Sequence, residues 1–273
     1  MKAEHEILLP LDERNIAHVL AALALGGIAA EESSECNDCR CWWVEDGFTL
    51  RLPFEQAALF QYADKVVRSL RWVEGLGVDD KLKIASKAHH GLLQRDGETG
   101  TNLFLSLVTS GAESSPFKTF SGQVDPVKIL SSQLERLQSP KTNSNWLRQR
   151  ALGANSWGFD SSVGSHAYDL GFGSNEESSG DADPVYPAIE LLSLAGAAFF
   201  STPHSWQAGE ESFHYFIWHA PLSLSLAPLA AGGSIAGAVG MLYAIATRGA
   251  AYGNGAAYRY FPEASPITNH NNP

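Results

Sequence analysis

Apolar residues at Ile16, Val19, Leu20, Leu23, Ala24 and Leu25 recur at helical spacing behind a polar stretch, Asp12 to Asn15, of the kind that caps helix starts. The pattern predicts a helix that stops at Gly26-Gly27. Trp42 and Val44, then Phe48, Leu50 and Leu52, alternate around Asp46-Gly47, a hairpin signal whose second strand Pro53 closes. Phe54, Ala57, Ala58, Leu59, Tyr62, Val66 and Leu70 share one side of a second helix over 54–73, whose other side carries Lys65, Arg68 and Arg71.

Leu103 to Thr109 reads as a buried strand, and Phe117 to Phe120 as a short one before a turn at Ser121-Gly122. A helix follows from Asp125-Pro126 to Leu137, with proline where its fixed φ suits the first turn. A polar break over 139–145 separates it from the segment Trp146 to Leu152. Ser156 to Asp183 has the Gly, Ser, Asp and Asn content of loops, anchored by Phe159, Tyr168, Leu170 and Phe172. Ile189, Leu192, Ala195, Gly196 and Phe199 mark a helix over 186–200, and Phe213 to Trp218 alternates as a strand. Periodicity fades from Ala251. These elements make an α+β fold of mixed helices and short antiparallel strands, with no recognised superfold: a single domain over 1–250, a sub-boundary near 140–156, and an irregular tail over 251–273.

With 44% hydrophobic and 18% charged positions, the 273-residue chain can bury a substantial core. Its net charge of −11 repels phosphate at long range, which argues against a freely diffusing nucleic-acid binder. The charge is unevenly spread, however: 13 of the 19 Lys and Arg fall within residues 61–150, so contact with a polyanion is to be sought there. Ser212 to Thr247 contains no charged residue, but Pro221, Pro228, His214, His219 and the Gly/Ala-rich tract 230–240 fit a closely packed core segment better than a membrane span. Gly233 and Gly237 have the spacing that lets backbones approach.

Cys36, Cys39 and Cys41 are too few and too clustered for a disulfide framework, and read as ordinary loop thiols in a reducing compartment. The opening residues lack the features of a secretory signal, so the expected location is the cytoplasm. Zinc held by this cluster with His5 or His18 would need a second ligand pair at recognisable spacing, and none follows; no metal or cofactor is expected. His89-His90 reads as a surface pair. Asp160, His166 and Asp169, with Ser161, Ser162 and Ser165, include the residue types of an Asp/His hydrolase, yet these types also build turns through side-chain to backbone bonds. No catalytic residue is assigned.

In the basic middle, Lys118, Gln123 and Lys128 flank the Gly122 turn, and Arg136, Lys141, Arg148 and Arg150 follow with Trp146 among them. Such a set can position a phosphate backbone, with the aromatic stacking on a base.

Several stretches, taken in order, resemble the small large-subunit relatives of type I CRISPR effector complexes, in particular the type I-G (formerly I-U) branch. Leu11-Asp12-Glu13-Arg14-Asn15 before an Ala-rich helix resembles the family's Asp-x-x-Asn-Pro-Gly start, with Ile16-Ala17 in place of Pro-Gly. Lys118-Thr119-Phe120-Ser121-Gly122-Gln123 is similar to its Lys-Thr-Trp-Ala-Gly-Gln element. Phe159-Asp160 together with Tyr168 to Glu176, Tyr186-Pro187-Ala188-Ile189-Glu190-Leu191-Leu192, and Tyr215 to Leu222 resemble later motifs of the same family. The resemblance implies a non-catalytic subunit of an RNA-guided antiviral complex, partnered by other effector subunits and guide RNA and engaging target DNA. The competing readings are a zinc-assisted or Asp/His hydrolase and a purely architectural subunit.

Overall fold

A computed structural model describes residues 2–73, 90–95, 102–106, 126–140, 145–152, 160, 184–197, 204–207, 210–244, 246–252, 256–260 and 264–267. Helices and short antiparallel strands in small sheets make up the fold, in no recognised superfold. Two helices form its centre: α1 (Ile16–Glu32), and a second that we number α4 (Pro187–Ala197) after α2 (Gln56–Arg68) and α3 (Pro126–Arg136). Every residue of α4 is buried, and within residues 16–29 of α1 only His18 and Gly27 keep partial exposure. A helix apolar on all sides needs neighbours on all sides; here each helix covers one face of the other, α2 packs on both and α3 on α4.

The helices α1 and α4 meet backbone to backbone at Gly196, where a Cβ would fall 1.8 Å from the Leu20 carbonyl oxygen. Ser193, one turn earlier, donates its hydroxyl to the Ala17 and Ile189 carbonyls at 2.7 and 2.6 Å. This packing also explains why α1 does not stop at Gly26-Gly27 as its sequence predicts. Burial along its length offsets the poor helix propensity of glycine, and the helix runs on to a cap at Ser33, whose backbone N–H and hydroxyl both donate to the Ala29 carbonyl.

The predicted hairpin is present as β2 (Arg40–Val44) and β3 (Gly47–Leu52). Gly47 has φ +148° and lies so close to the Leu9 carbonyl that no side chain fits. β1 (His5–Leu9) pairs with β3, burying Ile7 and Leu9, and β11 (Leu222–Ser223) pairs with β2, giving the order β1-β3-β2-β11. The rings of Trp43, Phe48 and Trp218 pack together behind this sheet, with centroids 4.9 and 6.1 Å apart. The Trp218 indole N–H donates to the Cys41 carbonyl at 3.0 Å, fastening the late chain to the early hairpin.

α2 ends at Arg68, and the last part of its expected range is instead the strand β4 (Leu70–Val73), in a sheet with β5 (His90–Arg95) and β6 (Asn102–Ser106). His90 thus starts a strand. β10 (Glu210–Ile217) lies between β9 (His204–Gln207) and β12 (Val239–Ala244), with β15 (Ser265–Pro266) beyond β12. Two expectations for the late chain are corrected. Among residues 227–240 only Ala227, Ala230 and Ala231 are buried; Gly233 and Gly237 lie in exposed turns rather than in a packed core. Nor is 251–273 irregular throughout: it holds the end of β13 (Ala246–Tyr252), all of β14 (Ala256–Tyr260), and β15. Alternating small residues conceal those strands from a hydrophobic pattern. Among the described residues, no helix is long and apolar enough to cross a membrane. The expected strand 117–120 and most of 156–183 lie outside the described residues.

Candidate functional site

Asn15 caps α1. It is 2% exposed, its side-chain oxygen accepts the Ala17 N–H at 3.1 Å, and its amide donates to Asp160 Oδ1 at 2.7 Å. Asp160 is itself 3% exposed. One turn along α1, His18 Nδ1 accepts the Asp12 N–H at 2.9 Å, so the neutral ring carries its proton on Nε2, which lies 3.9 Å from Asp160 Oδ2. Burial pushes the His18 imidazolium below its ordinary range; attraction to Asp160 and Asp12 opposes this, Arg148 reinforces it, and the net shift is downward.

The loop before the cap is fixed from several sides. The Tyr215 hydroxyl donates to the Glu13 carbonyl at 2.6 Å, and the Ala264 N–H to the Arg14 carbonyl at 2.8 Å. Arg14 donates its backbone N–H to Asp12 Oδ1 and reaches both carboxylate oxygens of Asp12 with its guanidinium. Burial raises the Asp12 carboxyl, but the Arg14 bonds and charge, with a contribution from His18, outweigh it and hold the group below its usual range. The Glu13 carboxyl goes the other way: its burial prevails over the attraction of His219.

These residues open onto a cleft of about 540 Å³, closed on its other sides by the Glu45-Asp46 turn, Arg148 and Tyr186. Four carboxylates face two guanidinium groups, so the cleft favours a cationic or polar occupant over a phosphate. Among the described residues that line it there is no Ser, Thr or Cys, and the one side-chain hydroxyl is that of Tyr186. The sequence reading set Asp160 beside His166 and Asp169. The structure instead brings it to Asn15 and His18; His166 and Asp169 lie outside the described residues.

The residues singled out for nucleic-acid contact divide into three groups. Lys128 and Arg136 are exposed on α3, and Arg148 and Arg150 are exposed at the 3-10 turn Trp146–Arg148 and just after it. Arg136, Arg148 and Arg150 form no ion pair with any described residue. Trp146 is a correction: it is fully buried, its ring 5.6 Å from that of Phe60, and its indole N–H donates to the Gln138 carbonyl at 2.8 Å, so it cannot stack on a base. Lys118, Gln123 and Lys141 lie outside the described residues. The Trp146 bond draws the 3-10 turn onto the end of α3. Arg68 of α2 reaches the same junction, donating to the Leu137 carbonyl at 2.9 Å while paired with Asp64.

The cysteines need a second correction. A turn at Asn37-Asp38 brings Cys36 and Cys39 to a Cα separation of 5.5 Å, and the two form a disulfide; the Cys36 N–H donates to the Ser33 carbonyl at 2.7 Å. Cys41 alone remains a thiol, fully buried in β2, where burial pushes it up to about 12.

Sequence reasoning missed His18 as a partner of Asp160, and Arg14 and Arg148 as neighbours across one cleft. A capping Asn was the available signal; its far partner, 145 positions on, carried none. Comparison with protein-family models, curated proteins and solved structures finds no match for this chain.

Proposed function

We propose that this chain is a non-catalytic subunit of an RNA-guided type I CRISPR surveillance complex, working in the cytoplasm beside other effector subunits and guide RNA. On this reading it lends the complex a small basic surface that touches the backbone of target DNA. The observation that carries it is the presentation of Arg136, Arg148 and Arg150 at the surface, free of ion pairs with described residues, from two segments that Trp146 ties together. Guanidinium groups without an ion-pair partner among the described residues are available to phosphate, and base pairing with the guide, not the protein, would supply sequence specificity.

A second observation supports the resemblance behind this reading. Asn15, Asp160 and Tyr186 belong to three separate motifs that resemble the family, and in the fold Asn15 and Asp160 bond to each other at the start of α1 while Tyr186 lines the cleft beside it. The acid excess of that cleft and of the whole chain suits contact with basic neighbouring subunits, which a lone DNA binder would not need.

The test has two parts. Purification from the host should recover the chain with other effector proteins and a small RNA; recovery alone would overturn the reading. In the recovered complex, replacing Arg136, Arg148 and Arg150 with glutamine should weaken target-DNA binding and lower the salt slope by about two to three, because each phosphate contact contributes about 0.9. Unchanged affinity and slope would leave a purely architectural subunit.

A further inference from the structure

The loop between α1 and β2 carries chemistry that the proposed function does not use. We propose that the Cys36 and Cys39 pair is a thiol–disulfide exchange site, opened at Cys36 by an uncharged or cationic dithiol.

Access decides which sulfur reacts. Cys36 is partly exposed whereas Cys39 is 3% exposed, and attack on a disulfide must come along the S–S axis from outside, at the sulfur that solvent can reach. The attacking thiolate bonds to Cys36 Sγ, the S–S bond breaks, and its electron pair goes to Cys39 Sγ, which takes a proton. The second thiol of the reagent, as thiolate, then attacks its own sulfur in the mixed disulfide, and Cys36 leaves and is protonated in turn. Two electrons pass from the dithiol to the cysteine pair, and the reagent departs as a cyclic disulfide.

The loop is built to survive this. Arg40 donates one guanidinium nitrogen to the Asn37 and Cys39 carbonyls at 2.7 and 2.8 Å, and the Cys36 N–H is held by Ser33, so neither sulfur is needed to keep the turn in place. The same guanidinium is a fixed cation beside the backbone from which the negative leaving sulfur departs. Cys41, the nearby third sulfur, is fully buried and remains protonated, which keeps it out of the exchange.

Charge decides which reagent reacts. Glu31, Glu32, Glu35 and Asp38 are all exposed on or beside the loop. Four carboxylates so close repel an anionic thiol and admit a neutral or cationic one, an effect that salt screens. This inference is independent of any role in a CRISPR complex, since it concerns the isolated chain.

The experiment uses the folded full chain, purified without reductant. Dithiothreitol followed by iodoacetamide should label Cys36 rapidly and Cys39 more slowly, with Cys41 labelled only after unfolding. The rate of opening by cysteamine, a cationic thiol, relative to 3-mercaptopropionate, an anionic one, should fall about threefold or more from low to high salt. With oxidised glutathione, Cys39→Ser should form a mixed disulfide at Cys36 about tenfold faster or more than Cys36→Ser forms one at Cys39. A disulfide that opens only on unfolding, labelling of Cys41 in the folded chain, or a cysteamine preference indifferent to salt would overturn the proposal. The wild-type measurements decide it even where a serine variant fails to fold.

Discussion

The side-chain amide of Asn15 donates to the buried carboxylate of Asp160 at 2.7 Å while its oxygen caps α1, so one residue joins the start of the central helix to a segment 145 positions away. Asn15→Ala removes the cap and deprives a buried carboxylate of a donor. The expected loss is about 2 to 4 kcal/mol in urea denaturation. Asn15→Asp keeps an acceptor for the cap but sets two carboxylates together, and should be the less stable of the two variants near neutral pH. A loss below about 0.5 kcal/mol for the alanine variant would show that the bond does not hold this end of the helix.

Two glycines of the helical centre predict opposite signs. A methyl group at Gly196 meets the Leu20 carbonyl at 1.8 Å, backbone against backbone, so Gly196→Ala must push α1 and α4 apart and should cost about 3 kcal/mol. At Gly26 a methyl meets nothing within 4 Å, so Gly26→Ala should stabilise the helix by about 0.5 to 1 kcal/mol. Thermal unfolding of the pair tests the helix contact; equal shifts would refute it.

The cleft makes stability fall with acid. Burial holds the folded His18 below its ordinary value of 6.5, so on acidification the unfolded chain takes up a proton that the folded chain refuses. The contribution is fully present above that value and is lost as the pH falls through and below it. Asp12, also held low, adds its loss only in the lower range set by its ordinary value of 3.8. Glu13, held above its ordinary 4.5, acts in the opposite sense and favours the fold at low pH. His18→Asn offers Oδ1 in place of Nδ1 to the Asp12 N–H and removes the titration. Between about pH 7.5 and pH 5.5, wild type should therefore lose more stability than this variant. Parallel urea midpoints would contradict the His18 assignment.

Trp146 should matter to the fold and not to DNA. Trp146→Phe keeps a ring against Phe60 but leaves the Gln138 carbonyl without its donor, at a cost of about 1 kcal/mol; Trp146→Ala opens a cavity and should cost about 3 to 5 kcal/mol. In the complex, the phenylalanine variant should bind target DNA with unchanged salt slope. A large loss of affinity by the folded phenylalanine variant would return Trp146 to the binding surface.

Much of the architecture was legible because periodicity is local. The β2 and β3 hairpin, α3 and the core of α1 follow from spacing, turn residues and a capping Asn. The boundary errors have one physical source. Gly26-Gly27 weakens a helix on its own but not one enclosed by neighbours, and Leu70, at helical spacing, was recruited by β5 into a strand. Trp146, flanked by arginines, looks in sequence like a stacking residue, and only the position of Phe60 and Gln138 makes it a core one.

By itself the sequence determined the α+β class, the basic middle and the polar start of α1, all properties of neighbouring residues. The tertiary structure alone decided that Asp160 meets Asn15 and His18, that Gly196 sits on Leu20, and that Cys36 has Cys39 as its partner while Cys41 is enclosed. Contacts between distant segments leave no period along the chain. They exist only once burial has chosen which surfaces face each other, and at that point they shift the titration of Asp12, Glu13 and His18.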